Sequence, residues 1–268
     1  MHYQTTTGLD DESMIELVAR IHQILTGRGI ELKHHRLGLY RQVELVLILL
    51  RQDMVQMCAA DLYHIWQPSV SRIWRRILPL MDEVLGLNGI SLEQALTQGE
   101  PILIDGTFIP TRNRPASGQG SANFSGKHHV GCLSIQVAGT LTGDLIATSA
   151  PVAGSRHDSA AIGMCGWQDT LQDSGTTWIA DTAYIATTAI TPIKKTPGRD
   201  RLEWEKQFNH DISSLRAAIE HIIAGLKNWT ILSKGYRGRL AELPQIIRIV
   251  THLELYRIGW YLPMNNTH

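Results

Sequence analysis

The spacing of apolar residues changes near residue 100. Before that point apolar side chains recur every three or four positions, as they do along one face of an α-helix; the segments with this spacing are roughly 12–27, 37–51, 53–64 and 68–85. After it, short apolar runs are separated by Gly-rich turns, which is typical of β-strands. We therefore expect an all-helical region over 1–96 and an α/β domain over 97–268.

Five strands and a long helix are predicted in the second part. The segments that contain them are "EPILIDGTFIP", where a short strand is followed by a turn, "HVGCLSIQVAGT", "GDLIATSAPVAG", "TTWIADTAY", where the strand ends at Asp181, and "AITPIKK". A helix follows over 200–229, where apolar residues from Trp204 to Trp229 step by three or four and predict a buried stripe. This order favours a mixed five-stranded sheet with flanking helices.

Composition narrows the possible functions. Lys plus Arg and Asp plus Glu are both 25, so the net charge is zero, but the excess of basic side chains lies in the last third, after the predicted strands. Spaced Asp residues followed by a basic region fit a metal-dependent enzyme that acts on a polyanion. The three cysteines are scattered and indicate reduced thiols of a cytoplasmic protein. The longest apolar run is too short to span a bilayer, so no membrane is expected.

Asp105 and Asp181 each end a predicted strand, the first and the fourth. If these strands are neighbours, both carboxylates point to one place and can hold Mg²⁺ or Mn²⁺. A two-ion site needs a third acid, for which Glu220 in the long helix is the candidate. Gly106 would let a DNA backbone approach closely.

Each of these acids also has a simpler explanation. Asp105 precedes a glycine and is explained equally well as a turn residue. Asp181 is explained equally well as the cap of a turn. Glu220 can form a surface i,i+4 pair with Arg216.

The segments "LIDGTFIP", "WIADTAY" and "LRAAIEHIIAGLKNW" resemble those of the DDE-type transposases of bacterial insertion sequences, in the group named after insertion sequence five, and of the related Harbinger-type nucleases. The resemblance implies a ribonuclease-H-like catalytic domain whose first and fourth strands are adjacent. The family's three acids match Asp105, Asp181 and Glu220. Arg216 and Lys227 also match its signature, but Ser213 replaces a tyrosine.

The resemblance implies the activity as well. Two Mg²⁺ (or Mn²⁺) ions would support attack by water, which frees a 3′-hydroxyl at the element end, and that hydroxyl would attack target DNA. The expected partners are terminal inverted repeats and target DNA, bound by a dimer, in the cytoplasm at the bacterial nucleoid. The alternatives are a catalytically decayed DNA-binding repressor and a host nuclease of the same fold.

Residues 54–77 have the pattern of two helices with a short turn between them. In a helix-turn-helix, the start of the second helix meets bases and phosphates. The candidates for this contact are Ser69, Ser71, Arg72, Arg75 and Arg76. An ordinary helical hairpin with an Arg-rich solvated face is the alternative.

Further candidates lie near the predicted active site. Lys194, Lys195, Arg216 and Lys227 are expected to contact DNA phosphates. The family often has His-Asp where this chain has His157 and Asp158, so both are candidates for ordering the site. Ser155 and Asp158 also have the spacing of a capping box, which is the competing interpretation.

Overall fold

The computed structural model describes residues 3–30, 36–86, 91–112 and 122–259. The chain divides into two compact units. The first combines the described part of Met1–Gly89 with Lys227–Lys234 and the described part of Gln245–His268. The second consists of the described part of Ile90–Leu226 with Gly235–Pro244.

The first unit is helical. Its helices are α1 (Tyr3–Thr6), α2 (Asp11–Gly27), α3 (Leu39–Gln52), α4 (Gln56–Tyr63), α5 (Gln67–Leu85) and most of α10 (Leu243–Arg257). The predicted helical N-terminal region is therefore confirmed. Asp10 caps α2 by accepting a hydrogen bond from the Ser13 amide. The apolar residues that α2 buries are Met14, Leu17, Ile21 and Leu25, whereas Ile15 is 62% exposed. No helix among the described residues is long and apolar enough to cross a membrane.

Helix α3 is buried on every side from Gln42 to Leu50. Its polar residues are satisfied. Gln42 Nε2 donates to the Leu37 carbonyl at 2.6 Å, and the Glu44 carboxylate accepts from Arg41 and from the Tyr63 hydroxyl, each at 3.0 Å. A buried polar group without a hydrogen-bond partner destabilises the fold. These contacts satisfy Gln42 and Glu44, so that both can lie in a buried helix.

A three-residue turn joins α4 to α5. His64 takes a left-handed conformation at φ 52°, and the Ile65 amide donates to the Ala60 carbonyl at 3.0 Å. Trp66 is the N-cap of α5, and its carbonyl accepts from the Ser69 amide at 2.8 Å. Pro68 lies in the first turn of α5, where its missing N–H costs nothing.

The second unit is built on a mixed sheet, as predicted. Its strands are β1 (Ile102–Pro110), β2 (Phe124–Ser125), β3 (Val130–Thr140), β4 (Leu145–Thr148), β5 (Val152–Ala153) and β6 (Trp178–Ile179). The order is β2-β3-β1-β6, and β4 and β5 also pair with β3. Strands β1 and β3 are antiparallel along nine residue pairs, whereas β1 and β6 are parallel. The predicted adjacency of the first and fourth strands, here β1 and β6, is therefore confirmed.

The strand count differs from the five that were predicted. The predicted strand "GDLIATSAPVAG" is divided into β4 and β5, with Pro151, which has no N–H to donate, just before β5. The predicted strand "AITPIKK" is absent, since Ile190 makes only an isolated parallel bridge with Ile179. Pro192 cannot donate to a ladder there, and the Asn209 side chain instead binds the backbone of Ile193.

Helices cover both faces of the sheet. On one face Ile102 and Ile104 pack into a cluster with α6 (Leu92–Leu96), α7 (Asp158–Met164) and α8 (Trp167–Ser174). On the other lies α9 (Glu203–Lys227), whose Ile219 and Ile222 press against Gly139. The predicted stripe of α9 is wrong at two positions, because Trp204 is 61% exposed and Leu215 is 37% exposed.

Candidate active site

Asp105 lies inside a strand and not at its end. Strand β1 continues through Gly106 to Pro110, and Asp105 pairs with Val137 of β3. The turn explanation is therefore wrong, as is the prediction that the strand ends here. Pairing with the long β3 explains the difference, since it keeps the backbone extended through a glycine that suggests a turn when taken alone.

Two donors hold the Asp105 carboxylate. Arg216 Nη2 donates to Oδ2 at 3.0 Å, and the Gly106 amide donates to Oδ1 at 2.8 Å. Burial raises the pKa of the Asp105 carboxyl, the Arg216 guanidinium opposes this rise, and the negative charge of Asp181 adds to it. Arg216 thus pairs with Asp105, and the surface-pair explanation for Arg216 is wrong.

Asp181 lies at the matching position next to Asp105. Leu103 of β1 pairs with Ile179 of β6 in parallel register, and each aspartate follows its paired residue by two positions. Asp181 caps the short 3₁₀ helix Thr182–Tyr184, with Oδ1 accepting from the Ala183 amide at 2.8 Å. The cap explanation for Asp181 is therefore correct, and it coexists with a position beside Asp105.

A third aspartate approaches β1 from the other side. A Cβ built on Gly106 would lie 2.5 Å from Asp158 Oδ1 and 3.2 Å from the Tyr184 hydroxyl, so both groups occupy the space that glycine leaves. The expectation that this space admits a DNA backbone is wrong. His157, and not Ser155, is the N-cap of α7, so the capping box is not formed and the Asp158 side chain faces Gly106 instead.

The environment of Tyr184 connects the three aspartates. Tyr184 is fully buried and its hydroxyl donates to Gln136 Oε1. Burial, followed by the negative charges of Asp158, Asp105 and Asp181, raises the pKa of its phenol far above the usual range. Burial also raises the pKa of the Asp158 carboxyl, and the charge of Asp181 adds to that rise. Tyr184 therefore stays a neutral donor beside three carboxylates.

Glu220 is placed differently. It lies on α9 one turn beyond Arg216, and its side chain is exposed. Within the described ranges, no three His, Cys, Asp or Glu side chains are close enough to hold a metal ion. The structure therefore places Asp181 beside Asp105 and puts Asp158 on the opposite side of β1, against Gly106. The role of Glu220 as the third acid stays a prediction.

The basic candidates of the catalytic part have different surroundings. Lys194 is exposed in an irregular segment, and Lys195 Nζ lies 3.1 Å from Asp200 Oδ1. Arg216 is 17% exposed and paired with Asp105. Lys227 Nζ donates to the Leu232 carbonyl at 3.4 Å. Their proposed phosphate contacts stay predictions.

The α5 candidates separate onto two faces. Ser69, Arg72 and Arg76 line one pocket of the first unit. Ser71 and Arg75 do not line it, and Arg75 is exposed. Arg76 is partly buried, and Nη2 donates to Gln42 Oε1. The sequence analysis assigned all five α5 candidates to a single DNA-contacting surface, whereas the structure separates them.

Comparison with known proteins gives a family and two relatives. A sequence model described as "DDE superfamily endonuclease" matches residues 104–254, more than half of the chain. A protein of Streptomyces albus G named "Putative transposase for insertion sequence element IS112" is 24% identical over 187 residues, which are 68% of this chain and 66% of that protein. A protein of Microchaete diplosiphon named "Probable transposase for insertion sequence element IS702" is 39% identical over 66 residues, which are 23% of this chain and 24% of that protein.

The matched stretch covers less than two thirds of either relative's length. No solved structure shows a significant match to the chain.

Proposed function

The chain belongs to the DDE superfamily endonucleases, and we propose that it is a transposase that cuts DNA at the ends of an insertion element and joins the freed ends to target DNA. The observation that carries this proposal is that Asp105 and Asp181 each follow a paired residue of the adjacent parallel strands β1 and β6 by two positions. Two relatives named as transposases support it. We also propose a ribonuclease-H-like fold for the second unit, because its strands β1 and β6 are adjacent and parallel.

Membership of this family implies dependence on a divalent metal. The donor chemistry fits such an ion, because the neighbouring Asp105 and Asp181 offer only oxygen ligands and the negative charge of Asp181 disfavours ionisation of Asp105 without a cation. We propose that Asp105 and Asp181 hold two Mg²⁺ (or Mn²⁺) ions with Glu220. When bound, the metal would supply Lewis-acid polarisation of the scissile phosphodiester.

The protein groups orient this site. Arg216 fixes the orientation of Asp105 and favours its ionised form, which is the form that binds a cation. The Ala183 amide fixes the orientation of the Asp181 carboxylate. Because Gly106 has no side chain, Asp158 and Tyr184 can pack directly against the backbone of β1 at this position. His157 and Asp158 therefore stand at the helix start that supports the site, and their ordering role is part of the proposal.

The helical unit is proposed to recognise DNA. The short turn between α4 and α5 and the basic residues at the start of α5 support a helix-turn-helix role for residues within 1–96, with catalysis in 97–268. Ser69, Ser71, Arg72, Arg75 and Arg76 would contact DNA there. Because two element ends must be joined, a dimer on DNA is part of the proposal.

The direct test is cleavage of DNA by the full chain. Duplex DNA carrying the inverted repeats that flank its gene is incubated with the protein and Mg²⁺ or Mn²⁺. We expect a nick at the repeat end that leaves a 3′-hydroxyl extendable by a polymerase, and no nick with EDTA. Specific binding without metal-dependent nicking would instead support the repressor, and nicking without preference for the repeats would support the host nuclease.

A further inference from the structure

A pocket of about 170 Å³ opens beside the start of α5 in the first unit. Basic side chains and apolar side chains both line this pocket. Arg36, Arg72 and Arg76 supply positive charge, and Trp66 with Ile65 and Ile73 supplies apolar surface. No acidic side chain lines it within the described residues. Its charge is thus complementary to an anionic ligand that also has a flat apolar part.

Trp66 is the most unusual member of this lining. Its side chain is 81% exposed, although tryptophan is normally well buried. The backbone around it is fixed, because the Trp66 carbonyl accepts from the amides of Ser69 and Val70 at 2.8 and 3.3 Å. Its indole makes no capping hydrogen bond. A rigid backbone therefore presents a large aromatic face to solvent.

The arginines differ in how they are held. Arg76 is anchored to Gln42, which is fully buried. Neither Arg36 nor Arg72 forms an ion pair with any residue that the structure describes, and both are exposed. An exposed guanidinium next to an exposed aromatic ring is the combination with which proteins bind the phosphate and base of unpaired nucleic acid.

The size of the pocket limits its ligand. The volume of the pocket is about 170 Å³. Pockets for whole small molecules start near ~300 Å³. The pocket therefore suits a single flat group, with any attached phosphate left outside between the exposed arginines.

We propose that this pocket binds one unpaired base of DNA, stacked on Trp66, while Arg36 and Arg72 contact the adjoining phosphates. The inference rests on the proposed DNA-binding function of the first unit and deepens it. Stacking uses a π-face that every base has, so the pocket would recognise a distorted or unpaired position rather than a particular base. Helix-turn-helix contacts elsewhere on α5 would supply the sequence preference.

The test compares three labelled duplexes, all with the sequence of the inverted repeats that flank the gene, by fluorescence anisotropy with the full chain. One is fully paired, one has a single bulged nucleotide, and one has an abasic residue in the bulge. We expect the wild type to bind the bulged duplex about tenfold more tightly than the other two. Trp66→Ala should bind all three alike, and Trp66→Phe should keep most of the preference. A 2-aminopurine in the bulge should lose fluorescence with the wild type but not with Trp66→Ala.

The controls separate this pocket from general effects. Trp204→Ala removes another exposed tryptophan, 61% exposed in the second unit, and should leave the preference intact. Arg72→Ala should weaken binding to all three duplexes. It should also reduce the slope of log K against log salt concentration by about one, because one phosphate contact is lost. A wild type without preference for the bulge, or a Trp66→Ala protein that keeps it, overturns the inference. If none of the duplexes binds, the DNA-binding function itself is wrong.

Discussion

Arg216 Nη2 lies 3.0 Å from Oδ2 of Asp105, and 111 residues separate the two in the chain. Their side chains are 17% and 19% exposed. The pair ties helix α9 to strand β1 at the centre of the candidate site. It also supplies positive charge to a carboxylate that burial and Asp181 otherwise drive towards protonation.

Arg216→Ala should therefore raise the pKa of Asp105 further. We expect the acidic limb of the pH–rate profile for DNA cleavage to move to higher pH, and stability to fall by roughly 1.5–3 kcal/mol because a largely buried charged partner is lost. Arg216→Lys should recover part of both losses. Lys206→Ala, which removes an exposed pair with Glu203 on the same helix, should change neither by a measurable amount. An unchanged pH profile in Arg216→Ala would contradict the role of the pair.

The stability of the metal-free protein should depend on pH through Asp105. Its folded pKa is raised above the ordinary value of 3.8, so the folded state binds this proton more tightly than the unfolded state. Stability from this group is therefore lost as pH rises through the window between 3.8 and the raised value. Urea unfolding of wild type and Asp105→Asn across this window should show the wild type gaining relative stability as pH falls. A constant difference would refute the raised pKa.

Metal binding should stabilise the wild type. A ligand at 100 times its Kd adds about 2.7 kcal/mol, and for a protein of this size each kcal/mol raises Tm by roughly 2–4 °C. We expect Mn²⁺ to raise Tm relative to EDTA in the wild type, and this increase to be lost in Asp105→Asn and Asp181→Asn. Glu220→Gln should show a smaller increase than the wild type. An equal increase in all four proteins would place the ion elsewhere.

Gly106→Ala should disturb the site without replacing any of its carboxylates. The new Cβ would lie 2.5 Å from Asp158 Oδ1 and 3.2 Å from the hydroxyl of the buried Tyr184. We expect a loss of about 1–3 kcal/mol in chemical unfolding, because the buried Tyr184 cannot easily move away. The double variant Gly106→Ala/Asp158→Ala should recover part of it. Gly126→Ala has nothing within 4 Å and serves as the control. Equal stability of the two single variants would mean that the approach at Gly106 is not close.

Part of this arrangement could be predicted from sequence. The apolar runs before Asp105 and Asp181 located both strands, and the adjacency of β1 and β6 then followed from the family resemblance. The contact between Gly106 and Asp158 could not be predicted, because it crosses from one sheet face to a separate helix. The prediction of a fifth strand was wrong. The apolar residues around Pro192 have the pattern of a strand, but Pro192 has no N–H with which to pair in a sheet. Local patterns carry no information on such long-range pairings.

The central claim is that Asp105 is essential for DNA cleavage, and one comparison tests it most directly. Wild type, Asp105→Asn and the exposed control Asp173→Asn are incubated with Mn²⁺ and end-labelled DNA that carries the flanking repeats. We expect Asp105→Asn to bind this DNA like the wild type and to give no nicked product, while Asp173→Asn cleaves normally. Cleavage by Asp105→Asn at the wild-type rate would contradict the claim.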